Sequence, residues 1–205
     1  MVLPFGSIRP PNRRRVLQAK GISVFGTPAR TMFTIGHSTR TFAEFLSLLE
    51  EHRIELLVDV RHFPGSRRVP WATTAVLSRD LPSHGIGYTH LEGLGGYRKP
   101  RPDSPNTGWR VEGFRGYADH MASPEFAAAF ERLLTLAAVR RTVIMCAEAV
   151  PWKCHRSLLS DALVARGVPV THILGVRSAQ PHRVTAFAKV RGNRVTYSAP
   201  RRKGV

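Results

Sequence analysis

Three observations predict an α/β fold: a mainly parallel open sheet with helices on both faces, in one Rossmann-like domain. Short apolar runs of strand type recur along the chain, apolar residues at helical spacing lie between them, and the residues capable of chemistry gather just after the runs. Parallel neighbours need crossover connections, and the preferred hand of those crossovers carries helices onto the sheet faces.

The elements follow in order. Residues 32–35 (MFTI) open the series. Thr41 to Glu44 (TFAE) then has the form of a capping box, and Phe42, Phe45, Leu46 and Leu49 recur at helical spacing. Residues 56–60 (LLVDV) and 86–91 (IGYTHL) are the second and third strands. The stretch 93–112, rich in Gly and Pro, predicts an irregular loop, and its length suits a lid over a site. Ser123 fits an N-cap and Pro124 the first helical position of a helix carrying Phe126, Phe130, Leu133, Leu134 and Ala137. Residues 142–146 (TVIMC) form the fourth strand, and Leu158, Leu159, Ala162 and Leu163 mark a helix closed by Gly167. Residues 170–174 (VTHIL) form the fifth strand. Further on, two short strands around Gly192 and Asn193 predict a hairpin that either adds to the sheet or stands as an arm.

The formal charge of +17 is unevenly spread. Residues 1–30 carry six Lys or Arg and no acid, residues 178–205 carry seven and no acid, and the stretch between them is near balance. Composition therefore divides the chain into a basic arm (1–31) expected to be disordered, an α/β domain (32–177) and a basic extension (178–205). The basic ends suit a phosphate backbone, so a non-catalytic nucleic-acid-binding protein is the competing expectation to an enzyme. No apolar run reaches the roughly 18 residues of a membrane span, and no apolar stretch precedes a small-residue cleavage site. Two close cysteines without a secretory signal fit a reducing, cytoplasmic setting. No sequence feature sets an oligomeric state.

In open parallel sheets ligands bind beyond the carboxyl ends of the strands, so the residues at those ends are the site candidates. The first strand is followed by His37 and Ser38. The second ends with Asp59 and Arg61, the third with His90, the fourth with Cys146 and then Glu148, Cys154, His155 and Arg156, and the fifth leads to Arg177. A helix starting near Cys154 would lower that thiol's pKa through its N-terminal dipole, and nearby cations would lower it further. The expectation is a Cys154 nucleophile beside an anion held by Arg156, Arg61 and Arg177. His37, His90 or His155 carries the proton, with Glu148 or Asp59 orienting it, and Cys146 and Ser38 line the pocket. Asp59 also reads as a loop-bracing carboxylate. The substrate class is phosphate-bearing or otherwise anionic, a nucleotide included, and the reaction is group transfer or hydrolysis. Neither the Cys-x5-Arg phosphatase loop, a Walker loop nor a Gly-x-Ser-x-Gly elbow is present. The spacing of the Cys and His residues matches no zinc finger or metalloprotease pattern, and neither metal nor cofactor is expected.

Five ordered stretches carry a resemblance: TIGHSTRTFAEFLSLL, LLVDVRHFPGSR, YTHLEGLGGYR, FRGYADHM and CAEAVPWKCHRSLLSDALVARGVPVTHI. Together they resemble the DUF488 family, a domain of unknown function, over residues 32–177. The resemblance implies an α/β core whose signature positions include the paired cysteines, Asp59-Val60-Arg61 and Cys154-His155-Arg156. It implies no reaction. Where Ala149 stands, the family commonly has a charged residue, so no role carries over to that position.

Overall fold

The computed structural model describes residues 31–65 and 68–199. The arm expected at the amino terminus, the pair Ser66 and Arg67, and the basic cluster Arg201, Arg202 and Lys203 lie outside the described residues, apart from Thr31.

Six strands make one sheet: β1 (Met32–Gly36), β2 (Leu56–Asp59), β3 (Gly87–His90), β4 (Thr142–Cys146), β5 (Val170–Gly175) and β6 (Ser178–Pro181). Their order is β3-β2-β4-β1-β5-β6, with the first five parallel and β6 antiparallel. The register sets Gly36 opposite Cys146 and Asp59 opposite His90, which brings the carboxyl ends of four strands level.

Alternation along the strands divides the core between two faces. Met32, Leu56, Val58 and Ile144 pack with Tyr117 of α3 (Glu112–His120), Phe126 and Phe130 of α4 (Pro124–Val139) and Leu158 and Leu159 of α5 (Arg156–Ala165). Phe33, Ile35, Leu57, Val143 and Met145 meet Phe45 and Leu48 of α1 (Phe42–Glu51) and Leu77 of α2 (Thr74–Asp80) on the other face. Burial on both sides explains why these strands read as continuous apolar runs.

The caps form as the sequence predicts. Thr41 Oγ1 accepts from the Glu44 N–H at 3.2 Å, and the Glu44 carboxylate accepts the Thr41 N–H at 2.7 Å. Ser123 Oγ likewise accepts from the Phe126 N–H at 3.1 Å. Two helices escape periodicity: α2 is only seven residues long, and α3 (EGFRGYADH) carries two glycines and turns Asp119 and His120 inward.

Asp119 decides the form of the preceding loop. Its carboxylate accepts from the Arg101 N–H at 2.9 Å, Ser104 Oγ at 2.7 Å and Asn106 Nδ2 at 2.8 Å. The stretch expected as a lid is thus pinned along its middle and forms a wall.

Nor does the chain leave the core at residue 177. After β6, strands β7 (Lys189–Arg191) and β8 (Arg194–Thr196) form a hairpin turning at Gly192, whose φ of 57° is the left-handed conformation glycine favours. Val195 and Tyr197 beyond it are buried with α3, α4 and α5. Among the described residues no helix is long and apolar enough to cross a membrane.

The connection from β1 runs into α1 on one face, while that from β4 runs into α5 on the other. Adjacent strands whose connections part to opposite faces leave a crevice at their carboxyl ends.

Candidate active site

Past their paired ends, β1 and β4 stay joined. The His37 N–H donates to the Cys146 carbonyl at 3.0 Å and the Ser38 N–H to the Ala147 carbonyl at 2.9 Å. Gly36 permits this approach: a Cβ there would collide with the Glu148 carbonyl and stand 3.0 Å from Arg156 Nη2.

From Cys146 the chain returns through a 3-10 turn, Pro151–Lys153, which closes with the Cys154 N–H on the Pro151 carbonyl at 3.0 Å. His155 then caps α5, so the helix starts two residues later than expected, at Arg156. His155 Nε2 lies 2.9 Å from the Val60 carbonyl. A carbonyl only accepts, so Nε2 bears a hydrogen, which leaves Nδ1 facing Cys154 Sγ at 3.5 Å as the nitrogen that can exchange a proton with the sulfur. Gly96 covers the ring closely, since a Cβ on it would stand 3.0 Å from Nδ1.

Arg156 is fully buried. Its Nε donates to Cys146 Sγ at 2.9 Å, Nη1 to Thr34 Oγ1 at 3.2 Å and Nη2 to the Glu148 carbonyl at 2.5 Å. Among the described residues no carboxylate pairs with it directly. The nearest one in the hydrogen-bond chain, Asp161, is reached only through intermediaries. The buried Asp161 carboxylate accepts from His182 Nε2 at 2.8 Å, His182 Nδ1 faces His172 Nε2 at 2.9 Å, and His172 Nδ1 faces Thr34 Oγ1 at 2.7 Å. The carboxylate only accepts, so His182 Nε2 donates to it; with a neutral His182 ring the donors then follow in turn as His172, Thr34 and finally Arg156. Burial first, then the neighbouring His182 and Arg156, lowers the His172 pKa to about 3, which agrees with a neutral ring in this chain.

A buried cation without a direct carboxylate partner favours an anion beside it, and the two sulfurs are that anion's place. Burial alone would raise the Cys154 thiol. A hydrogen bond from the Cys146 thiol, the His155 ring and Arg156 outweigh it and hold Cys154 well below the ordinary thiol range. Cys146 moves the opposite way, raised by burial and then by its bond to Cys154, against the pull of Arg156. The opposed directions favour a negative charge on Cys154 over one on Cys146.

Across the crevice, His37 is also nearly sealed. Its Nδ1 donates to the Ser38 carbonyl at 2.9 Å, and Nε2 faces Arg61 Nη1 at 3.4 Å as an acceptor. Burial foremost, with Arg61 and Arg156 adding, outweighs the Ser38 bond and Asp59 and lowers the His37 pKa. Arg61 is clamped behind this wall. Its Nε and Nη2 bind the Asp59 carboxylate at 2.9 and 2.5 Å, and Nη1 donates to the Ala72 carbonyl at 2.7 Å. Tyr88 donates to the same carboxylate at 3.0 Å.

A cavity of about 400 Å³ brings together Cys146, Cys154, His155, Glu148, His37 and Arg61. The other expected residues stand elsewhere. Asp59 is fully buried and orients Arg61, not a histidine, as its loop-bracing alternative has it. His90 stands beside the Arg61 carbonyl at 2.8 Å, outside the cavity lining, and Ser38 is placed in a left-handed turn (φ 52°). Arg177 occupies the β5–β6 turn, its N–H held by Glu51 at 3.0 Å, and is not in the lining. The three-arginine anion cradle is therefore corrected: Arg156 lies under the sulfurs, Arg61 is spent on Asp59, and Arg177 is elsewhere. Lys153 supplies a cation at the cavity, and the exposed rings of Phe63 and Tyr97, 6.2 Å apart, stand at its mouth.

Sequence reasoning missed the Val60 carbonyl, for which no side chain could signal. It also passed over Thr34, His172 and Asp161. Their signal was present, as polar residues inside otherwise apolar strand and helix faces. Among the described residues no group of three or more His, Cys, Asp or Glu is placed to hold a metal ion.

A family model described as Domain of unknown function DUF488 matches residues 41–163, more than half of the chain. That stretch includes every cavity residue named above except His37. No curated protein and no solved structure matches the chain. With the ordered motifs and the matched span in agreement, the chain belongs to the DUF488 family, a domain of unknown function.

Proposed function

We propose that the chain is a cysteine-dependent enzyme in which the Cys154 thiolate attacks an electrophilic centre and carries a covalent intermediate through group transfer or hydrolysis. The observation that supports this most is the His155 tautomer: Nε2–H is committed to Val60, so Nδ1 is free to take the Cys154 proton. In the first step the sulfur–substrate bond forms, the leaving group departs, and His155 returns the proton to it. In the second, water or an acceptor gives its proton to His155 and displaces Cys154.

Lys153 at the wall and the rings of Phe63 and Tyr97 at the mouth favour a substrate with an anionic group and a flat apolar body. A nucleotide has both. The test is alkylation by iodoacetamide, mapped to each cysteine across pH, with and without inorganic phosphate or nucleoside monophosphates. Cys154 should be labelled before Cys146, at a pH below the about 8.5 of a free thiol, and nucleotide should slow it. A Cys154 inert in the native chain at every pH would overturn the reading.

A further inference from the structure

We propose that Cys146 and Cys154 form a dithiol that reduces hydroperoxides, Cys154 attacking the peroxide and Cys146 resolving the product as an internal disulfide. This rests on the Cys154 nucleophile proposed above, and it names both a substrate class and a role for the second sulfur.

The argument starts from Arg156. A fully buried guanidinium with Nε 2.9 Å from Cys146 Sγ, and with no direct carboxylate partner among the described residues, needs an anionic sulfur next to it. In the resting site Cys154, which lines the same cavity and faces His155 Nδ1 at 3.5 Å, is the sulfur favoured as that anion. Once Cys154 becomes neutral in a covalent adduct, the same cation favours the thiolate of Cys146. The second nucleophile is thus activated by consumption of the first. Both sulfurs line the same cavity, with the buried Arg156 Nε on Cys146 Sγ, so side-chain rotations can bring them towards the about 2.05 Å of a disulfide. Both are reduced in this structure, and the chain has no other cysteine.

Access favours a small oxidant. Cys154 is only 5% exposed, which leaves room for a peroxide oxygen but hinders the linear three-sulfur approach that a bulky disulfide requires. In the first step the Cys154 thiolate attacks the terminal peroxide oxygen, the O–O bond breaks, and the departing alkoxide takes the proton held on His155. Cys154 is then a sulfenic acid and the peroxide has become an alcohol. In the second step Cys146 displaces the sulfenic hydroxyl, which leaves as water with the Cys146 proton. Two thiols and one hydroperoxide give a disulfide, an alcohol and water. An external thiol reductant returns the pair to the dithiol by exchange.

The full chain, reduced and then freed of reductant, is treated with one equivalent of hydrogen peroxide at pH 7, and its thiols and mass are followed. Both thiols should vanish together with a mass loss of two hydrogens, about 30-fold faster than in the urea-unfolded chain, whose thiols are only a few per cent ionised. The Cys146→Ser chain should instead gain one oxygen and then more, and Cys154→Ser should keep its thiol. Iodoacetamide labelling of the same preparations separates two failures. A Cys154 that labels as a thiolate while wild type gains oxygen as Cys146→Ser does overturns the resolving role alone. A Cys154 that neither labels nor oxidises overturns both proposals. Faster loss of the thiols to oxidised glutathione than to peroxide overturns the substrate class.

Discussion

Replacing His155 by Gln isolates the step on which the site depends. The amide can still donate to the Val60 carbonyl, now 2.9 Å from Nε2, but it offers Cys154 no basic nitrogen. A hydrogen bond between ionised partners contributes about 1.5–3 kcal/mol. That is roughly one to two pKa units on the thiol. With His155 only one of the groups that lower Cys154, beside Cys146 and Arg156, the thiol should rise by that amount and not to the value of a free cysteine. Pseudo-first-order alkylation by iodoacetamide, followed by intact mass from pH 5 to pH 10, reads this directly. At neutral pH the variant should react about 10- to 100-fold more slowly, and the two curves should converge in alkali, where both thiols are ionised. A profile that does not move refutes the dyad. A deficit that persists at high pH refutes it too, because lost thiolate would then not be its cause.

Three further outcomes follow from the geometry. Gly36→Ala drives a methyl group into the Glu148 carbonyl beside Arg156, so urea unfolding should show a loss of about 1–3 kcal/mol, together with slower Cys154 alkylation; a neutral change would contradict the close approach. Asp59→Asn removes the carboxylate that compensates the buried Arg61, and should cost about 3–5 kcal/mol by the same measurement, whereas an exposed pair such as Arg79 with Asp80 should contribute little. The His172 ring, held at about 3, stays neutral in the fold while an unfolded imidazole titrates near 6.5. Only the unfolded chain binds that proton between the two values, so this contribution is fully present above about pH 6.5 and is lost as pH falls towards 3, by up to about 1.4 kcal/mol per unit. A His172→Gln chain should show a flatter fall over this window, and identical slopes would exclude the group.

Local chemistry explains what could be read from the chain and what could not. The caps at Thr41 and Ser123 are contacts within three residues, and the helices they start follow from that. Helix α3 was hidden because its identity depends on partners far away: Asp119 faces inward to hold Arg101, Ser104 and Asn106. Site membership was legible to the extent that strand ends converge, which gathers Cys146, Glu148, Cys154, His155, His37 and Arg61 around one cavity. Which way each cation points was not legible, since Arg61 and Arg156 look alike as formal charges yet one is bound to Asp59 and the other to a sulfur.

Alternation of short, continuous apolar runs with helical patterns made the parallel sheet a property of the sequence, because burying both faces leaves few other arrangements for such a pattern. Tertiary structure alone decided the electrostatics of the sulfur pair. The Val60 carbonyl, just past β2, that fixes the Nε2 hydrogen of His155 and the Thr34 hydroxyl of β1 that receives Arg156 come from positions 95 and 122 residues away, and Asp161 acts through two histidines. Charge state depends on distance and solvent exclusion, and both are set only when separate strand ends meet.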